Sequence, residues 1–268
     1  MYRRNALKTR LEAGDKVLGC WTALGSPVVT ELLALAGFDY LLLDQEHGLG
    51  DMSTLVAQLQ AMSGTPATSV VRVAWNDPVI LKRVLDAGAQ GVMIPAIETA
   101  EQARAAVAAC RYPPAGIRGA GAGSARASNY GMASDYVATA GRELLLALQI
   151  ESKRGVENID AILEVEGVDL MFIGPHDLSG TVGQLGNLKH PDVAPLIARA
   201  EQRIMAAGRP MGTVPHPGAS WKEMFDRGYA FVNAGSDVSR LRDGALADMR
   251  AFREAYRSAS SVGIEAKV

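Results

Sequence analysis

Residues 69–95 contain two short apolar runs, Ser69-Val70-Val71-Arg72-Val73 and Gly91-Val92-Met93-Ile94-Pro95. Between them lies an amphipathic stretch over Asp77 to Ala87. Neither run alternates apolar with polar residues, which is typical of strands buried on both faces of a parallel sheet. Parallel neighbours need a crossover connection, and the stretch between the runs is long enough to be a helix. The segment therefore predicts a strand–helix–strand unit.

The same unit recurs along the chain, which favours a (β/α)₈ TIM barrel over other α/β folds. The predicted strands are Val17–Trp21, Asp39–Asp44, Ser69–Val73, Gly91–Pro95, Leu144–Glu151, Asp169–Gly174, Pro210–Val214 and Ala230–Gly235. The first predicted helices are Pro27–Ala36, Asp51–Met62, Asp77–Ala87 and Thr99–Cys110. We expect one barrel domain over residues 1–268. A doubly wound open sheet is the alternative, but no phosphate-binding glycine fingerprint follows the first strand.

Composition excludes several classes of protein. The 268 residues include 27 Lys and Arg against 29 Asp and Glu, a net charge of −2, so no basic footprint for nucleic acid is present. Two cysteines, Cys20 and Cys110, cannot make a disulfide framework. The richest apolar stretch, residues 31–44, is interrupted by Asp39 and is too short to span a bilayer. We expect a cytoplasmic protein with no membrane partner.

One segment breaks the alternation of strands and helices. Residues 112–131 are rich in Gly, Ser, Ala and Arg. A long irregular loop inside a compact domain is usually functional or mobile. We place it over the active-site face as a cover, with a plain surface loop as the alternative.

Polar residues cluster at the predicted carboxyl ends of the strands, where TIM barrels carry their active sites. The second strand ends in Asp44-Gln45-Glu46-His47, and the third carries Arg72. The fifth ends in Gln149-Ile150-Glu151, and the sixth in Gly174-Pro175-His176-Asp177. These stretches are far apart in sequence, but a closed barrel brings them to one mouth.

Glu151 and Asp177 form the candidate metal pair. Two carboxylates without a Cys or His cluster favour a hard cation such as Mg²⁺ or Mn²⁺. The alternative is that each carboxylate stands near a helix start and interacts only with the helix dipole.

His47 is the candidate acid/base because histidine is the residue type best suited to take and return a proton near neutral pH, and Asp44 could orient its ring. Arg72 lies inside an apolar strand, so it is either the partner of a barrel carboxylate or a clamp for a substrate oxyanion. His216, after the seventh strand, lines the pocket or belongs to a plain loop. No lysine stands at a predicted strand end, which disfavours a Schiff-base mechanism.

Six motifs together resemble the HpcH/HpaI family of class II pyruvate aldolases. They follow the family's order and cover nearly the whole chain. The motifs are Ala36-Gly37-Phe38-Asp39, Asp44-Gln45-Glu46-His47, Val71-Arg72-Val73 with Trp75-Asn76-Asp77-Pro78, Arg111 through Gly119, Gln149-Ile150-Glu151, and Phe172 through Ser179.

The resemblance implies reversible retro-aldol cleavage of a 4-hydroxy-2-oxo acid to pyruvate and an aldehyde through a pyruvate enolate. It implies a divalent metal, Mg²⁺ or Mn²⁺ with Co²⁺ or Zn²⁺ as alternatives, bound by Glu151 and Asp177. It also implies a homo-oligomer, with a hexamer favoured, whose C-terminal helix packs on a neighbouring subunit. The predicted catalytic residues are His47, Arg72 and Asp44, and the predicted substrate-binding residues are Arg72, Gln149, His176, Asp177 and Val214.

Two other functions stay open at the level of sequence. An oxaloacetate decarboxylase or a related lyase would form the same enolate. A noncatalytic barrel would bind the metabolite without enolising it. His176 stands where the family often has a small residue, and the identity of the aldehyde is left open.

Overall fold

The computed structural model describes residue 2, residues 4–215 and residues 219–256. Eight parallel strands close into a barrel in chain order, with β8 hydrogen-bonded to β1. The strands are β1 Val17–Thr22, β2 Tyr40–Asp44, β3 Thr68–Arg72, β4 Gly91–Ile94, β5 Leu145–Ile150, β6 Leu170–Ile173, β7 Met211–Thr213 and β8 Phe231–Ser236. This confirms the predicted (β/α)₈ barrel, and each predicted strand is present with only small shifts at its ends.

Helices surround the barrel and begin where the sequence offers a cap. Ser26 accepts the N–H of Val29, while Asp51 and Thr99 each form a capping box with the residue three positions on. The helices are α1 Ala6–Glu12, α2 Pro27–Leu35, α3 Met52–Ala61, α4 Pro78–Ala87, α5 Ala100–Ala109, α6 Tyr136–Glu143, α7 Lys153–Glu157, α8 Ile159–Leu163, α9 Pro175–Gly180, α10 Ala194–Ala206, α11 Trp221–Asp226 and α12 Asp237–Tyr256.

The barrel interior is apolar below its mouth. Every second strand residue points inward, and Tyr40 and Phe231 stack there with ring centroids 3.8 Å apart. Leu7 and Leu11 of α1 join this cluster beside Val17, the first residue of β1, so α1 covers the amino-terminal end of the barrel. A larger apolar layer lies between the barrel wall and the helices, and it includes Cys20 and Cys110, both buried free thiols.

The prediction that residues 112–131 cover the active-site face is wrong. Arg126 in this loop donates to the carbonyls of Leu59 and Ala87, at the carboxyl ends of α3 and α4. Helices of a (β/α)₈ barrel run antiparallel to the strands, so helix carboxyl ends lie at the face opposite the mouth. The loop follows α5 and leads through α6 into β5, and this helix-to-strand connection belongs to that face. There it is held by Arg118, which pairs with Asp86 at 2.7 Å.

The last helix, α12, is exposed along its length from residue 240 to residue 256. Its exposed large apolar residues are Val238, Leu241, Leu246, Met249, Phe252 and Tyr256. A second exposed apolar stripe lies on α2 at Val28, Leu32 and Leu35. Among the described residues, no helix combines the length and apolar character needed to cross a membrane.

Candidate active site

The last residues of β2 and β3, Asp44 and Arg72, are paired in register at the carboxyl end of the barrel. Their side chains are buried and form a bidentate ion pair. Nε of Arg72 donates to Oδ1 of Asp44 at 2.9 Å, and Nη2 donates to Oδ2 at 2.6 Å. Burial alone would raise the pKa of Asp44, but the hydrogen bonds and charge of Arg72 outweigh it and hold that pKa below its ordinary value. Asp44 is therefore an ionised anchor for the guanidinium.

Two further side chains complete the surroundings of Arg72. The indole of Trp21, on β1, lies over the guanidinium at 4.4 Å and donates from Nε1 to Asp44 at 2.9 Å. Glu46 approaches Nη1 of Arg72 at 2.8 Å. Arg72 is thus the partner of barrel carboxylates, the first of the two roles predicted for it.

The sequence predicts that Asp44 orients the ring of His47, but in the structure Asp44 contacts the backbone of His47 instead. Oδ1 of Asp44 accepts the backbone N–H groups of Glu46 and His47, which fixes the turn after β2. The His47 side chain is 69% exposed, with Nε2 3.9 Å from a carboxylate oxygen of Glu46. His47 therefore stands at the rim of the mouth, where it can meet a substrate and solvent.

Glu151 lies at the end of β5 and is buried. Its Oε1 accepts the N–H of Ala96 at 2.8 Å, and its Oε2 accepts a hydrogen bond from the side-chain amide of Gln149. Burial raises its pKa to about 7, and the nearby carboxylates of Asp177 and Glu46 add to that effect. The N–H of Ala96 and the charge of Arg72 act in the opposite direction. Three carboxyl groups thus share one electrostatic environment at this end of the barrel.

Gly174 separates β6 from α9 and lets Glu151 approach the backbone closely. A Cβ at this position would lie 2.7 Å from Oε2 of Glu151 and 2.9 Å from Nε2 of Gln149. His176 and Asp177 follow on the first turn of α9, and both side chains are exposed. The first turn of a helix carries backbone N–H groups with no intrahelical acceptor.

A cleft of about 490 Å³ opens beside this cluster. Its lining includes Trp21, His176, Val214 and Asn233, which come from different strand ends. The predicted substrate-binding residues Val214 and His176 therefore border one space, and Trp21 joins that space to Arg72. His216 lies outside the described residues.

Comparison with known proteins identifies the family of this chain. The sequence model of the HpcH/HpaI aldolase/citrate lyase family matches residues 17–244. The chain belongs to this family. The 5-keto-4-deoxy-D-glucarate aldolase of Salmonella arizonae is 46% identical over 246 residues, covering 91% of this chain and 96% of that protein.

Two solved structures of HpcH/HpaI proteins share the fold. One from Burkholderia cenocepacia has a TM-score of 0.89 at 37% identity, covering 93% of this chain and 99% of that one. Another, an HpcH/HpaI aldolase from Desulfitobacterium hafniense, has a TM-score of 0.84 at 30% identity, covering 92% and 96%. The predicted family and the predicted carbon–carbon lyase class are confirmed.

The acidic cluster of this HpcH/HpaI protein fits a divalent cation. Glu151 is a buried carboxylate whose charged form is disfavoured by burial and by two neighbouring carboxylates, and a cation would offset both effects. The donors are hard oxygen atoms, which suit Mg²⁺ or Mn²⁺. Among the described residues, no group of three or more His, Cys, Asp and Glu side chains is arranged to hold a metal ion. A two-carboxylate site is compatible with Mg²⁺, which keeps several positions for water and substrate.

Sequence reasoning missed three parts of the site. Trp21 covers Arg72, the backbone N–H of Ala96 binds Glu151, and Asn233 lines the cleft. Trp21 and Asn233 occupy inward-facing positions on β1 and β8, so strand alternation could have found them. Ala96 contributes through its backbone N–H, so the type of residue at this position gives no indication of its role.

Proposed function

We propose that this HpcH/HpaI protein is a metal-dependent class II pyruvate aldolase, cleaving a 4-hydroxy-2-oxo acid to pyruvate and an aldehyde. The observation that carries the proposal is the bidentate Asp44–Arg72 pair beside the buried carboxylate of Glu151. A fixed cationic group beside a buried carboxylate at one mouth supports this chemistry. The Salmonella relative is named as an aldolase. We extend the aldol chemistry to this chain, but not the particular substrate in that name.

Arg72 is the group that would hold the developing enolate. A guanidinium has five N–H donors, of which Asp44 takes two, while Glu46 pairs with the third nitrogen. The remaining N–H groups are fixed in direction by this pairing and by the Trp21 ring. A donor that is fixed in advance stabilises charge that develops in the transition state.

Glu151 and Asp177 would hold the divalent cation, with the side chain of Gln149 supporting Glu151. When bound, the cation supplies Lewis-acid stabilisation of the enolate oxygen. The backbone at His176 and Asp177, in the first turn of α9, would bind the pyruvate carboxylate, with Val214, after the neighbouring strand β7, also lining the cleft.

His47 would act as the acid/base that takes up and returns protons. In the cleavage direction it takes the proton of the C4 hydroxyl, the C3–C4 bond breaks, and C4 leaves as the aldehyde. The bonding electrons form the C2–C3 double bond of the enolate, and a proton returned to C3 gives pyruvate. The exposed ring at the rim can exchange its proton with solvent between these steps.

We also propose a homo-oligomer, with a hexamer favoured. The apolar residues exposed on α12 and α2 make stripes that soluble proteins seldom leave open to water. A neighbouring subunit would cover α12, as the resemblance to the family implies.

Deuterium exchange tests the proposed chemistry without a choice of aldehyde. The protein is incubated with pyruvate in D₂O, and loss of the methyl signal is followed by proton NMR with Mg²⁺ or Mn²⁺ and with chelator. We expect metal-dependent exchange that falls at least tenfold in His47→Ala. Absence of exchange in folded, metal-loaded protein would contradict enolisation. Faster turnover of oxaloacetate than of any hydroxy-oxo acid would favour a decarboxylase instead.

A further inference from the structure

Asp237 is a buried carboxylate that the proposed reaction does not use. It is the first residue of α12, directly after β8, and it is 2% exposed. Its oxygens accept backbone N–H groups of the loop that follows β1. The N–H of Ala23 donates to Oδ1 at 3.0 Å and to Oδ2 at 3.1 Å, and the N–H of Leu24 donates to Oδ2 at 3.0 Å. Hydrogen bonds to a carboxylate are among the strong ones, so Asp237 fixes the start of this loop.

The loop after β1 supports in turn the segment that carries His47. The carbonyl of Ala23 accepts the N–H of Leu49, two residues after His47, at 2.8 Å. Gly25 and Gly50 lie so close together that a Cβ at Gly25 would be 2.9 Å from the Cα of Gly50. The loops after β1 and β2 are therefore joined by a hydrogen bond and by close backbone contact.

The imidazole of His47 depends on its backbone for its position. Its side chain is 69% exposed, and Nε2 lies 3.9 Å from the carboxylate of Glu46, beyond hydrogen-bond distance. The turn is held on one side by Asp44, which accepts the N–H of His47 at 3.3 Å, and on the other by the carbonyl of Ala23. These two anchors set the place of the ring at the mouth of the barrel.

We propose that Asp237 is a positioning residue for His47, acting through the backbone of Ala23 and Leu24. An acid/base must stand within hydrogen-bond reach of the proton that it moves, and a displacement of about 1 Å can cost a factor of about 100 in rate. Without the carboxylate, the N–H groups of the first loop lose their acceptor, and the second loop loses its fixed support. This inference rests on the proposed function, in which His47 is the acid/base, and it adds a residue that acts on the reaction only through another.

The test compares the effect of Asp237→Ala in two backgrounds, wild type and His47→Ala. Deuteration of pyruvate in D₂O with Mn²⁺ is measured over a range of pyruvate concentrations. In the wild-type background we expect kcat to fall about tenfold with no change in the KM for pyruvate, because the proposed pyruvate-binding groups lie on other loops. In the His47→Ala background the same substitution should change the rate by less than about twofold, because a residue that acts through His47 has no ring left to position.

The matched control is Asp39→Ala, at the opposite end of β1 and β2. Oδ2 of Asp39 accepts the N–H of Leu18 at 2.8 Å, and Oδ1 pairs with Arg10. This variant also removes a carboxylate that binds a backbone N–H of β1, but it leaves the loops at the mouth in place, so kcat should not change. Thermal unfolding verifies the fold of each variant.

Two further variants act on the same connection. Asp237→Asn keeps one acceptor oxygen and should lose less activity than Asp237→Ala. Gly25→Ala pushes the two loops apart without touching Asp237, and it takes the place of Asp237→Ala in the two-background comparison if that variant does not fold.

An unchanged kcat in Asp237→Ala, or an equal loss in both backgrounds, would overturn the inference. Failure of the proposed function gives a different result. A wild-type protein that does not deuterate pyruvate, or a His47→Ala variant that does so at the wild-type rate, would count against the proposed chemistry and its base, and this inference would fall with them. Deuteration that depends on His47 but not on Asp237 would count against Asp237 alone.

Discussion

Asp44 and Arg72 join β2 to β3 through two parallel hydrogen bonds of 2.9 and 2.6 Å at the mouth of the barrel. The planar fork of an arginine matches a carboxylate in a way that a single ammonium cannot. The indole of Trp21 completes the arrangement by covering the guanidinium. One pair of side chains thus fixes the ends of two strands and the direction of the remaining guanidinium donors.

Replacing Arg72 by Lys tests the fork, because it keeps the charge and removes the geometry. We expect kcat/KM for the aldol reaction to fall about 100-fold, by loss of a preorganised donor. The measurement is steady-state kinetics with pyruvate and an accepted aldehyde. Arg104→Lys, which changes an exposed arginine paired with Glu101, is the control and should behave as wild type. Unchanged kinetics in Arg72→Lys would reject the role of the fork.

Replacing Asp44 by Asn leaves the buried guanidinium without its carboxylate. We expect the free energy of unfolding at pH 7 to fall by about 3 kcal/mol. Since Arg72 holds the pKa of Asp44 below its ordinary value of 3.8, the ion pair contributes stability above that value and loses it as the pH falls through the folded-state pKa. Urea unfolding at pH 7, 4 and 3 should therefore show that the difference in the free energy of unfolding between wild type and Asp44→Asn becomes smaller as the pH falls. A difference that is constant with pH would rule out the ion pair as its source.

The proposed binding of a metal ion at Glu151 has a readout that is independent of turnover. At about 100 times its dissociation constant, Mn²⁺ should raise the free energy of unfolding by about 2.7 kcal/mol. Glu151→Gln should lose this stabilisation, while Glu157→Gln, on the exposed side of α7, should keep it. Thermal unfolding with and without Mn²⁺ measures both. Equal stabilisation of the two variants by Mn²⁺ would mean that the metal binds elsewhere. In wild type, a chelator should abolish the exchange of pyruvate protons.

Gly174 should tolerate no side chain, and the reason is contact rather than backbone strain. Its φ of −95° suits any residue, but a Cβ would lie 2.7 Å from the Glu151 carboxylate. We expect Gly174→Ala to displace Glu151 and reduce metal-dependent exchange at least tenfold. Gly64→Ala is the control, because nothing lies within 4 Å of its added Cβ. A fully active Gly174→Ala would mean that the Glu151 carboxylate need not stay in place.

The barrel is predictable from sequence because its strands are apolar on both faces and each is followed by a helix or a turn. For the same reason the amino-acid sequence alone is enough to place the strand-end residues Asp44, Arg72 and Glu151 at one mouth. The composition of residues 112–131 favours a cover over the active site, but the order of elements decides their place: a segment between α5 and α6, ahead of β5, lies at the opposite end of the barrel. The contact between Asp44 and the backbone of His47, and the hydrogen bonds that Asp237 accepts from the loop after β1, depend on side-chain orientation and packing that residue types alone do not specify.

The exposed apolar residues of α12 give the last prediction. Met249 and Phe252 lie three residues apart, on one side of the helix, and both are exposed. If a neighbouring subunit covers this side, the double variant Met249→Asp, Phe252→Asp should dissociate the assembly, because two charges cannot be buried unpaired at low cost. Light scattering coupled to size-exclusion chromatography measures the mass, with circular dichroism to verify the fold. Ala247→Asp, on the other side of the helix, should leave the mass unchanged, and a monomeric wild type would contradict the homo-oligomer outright.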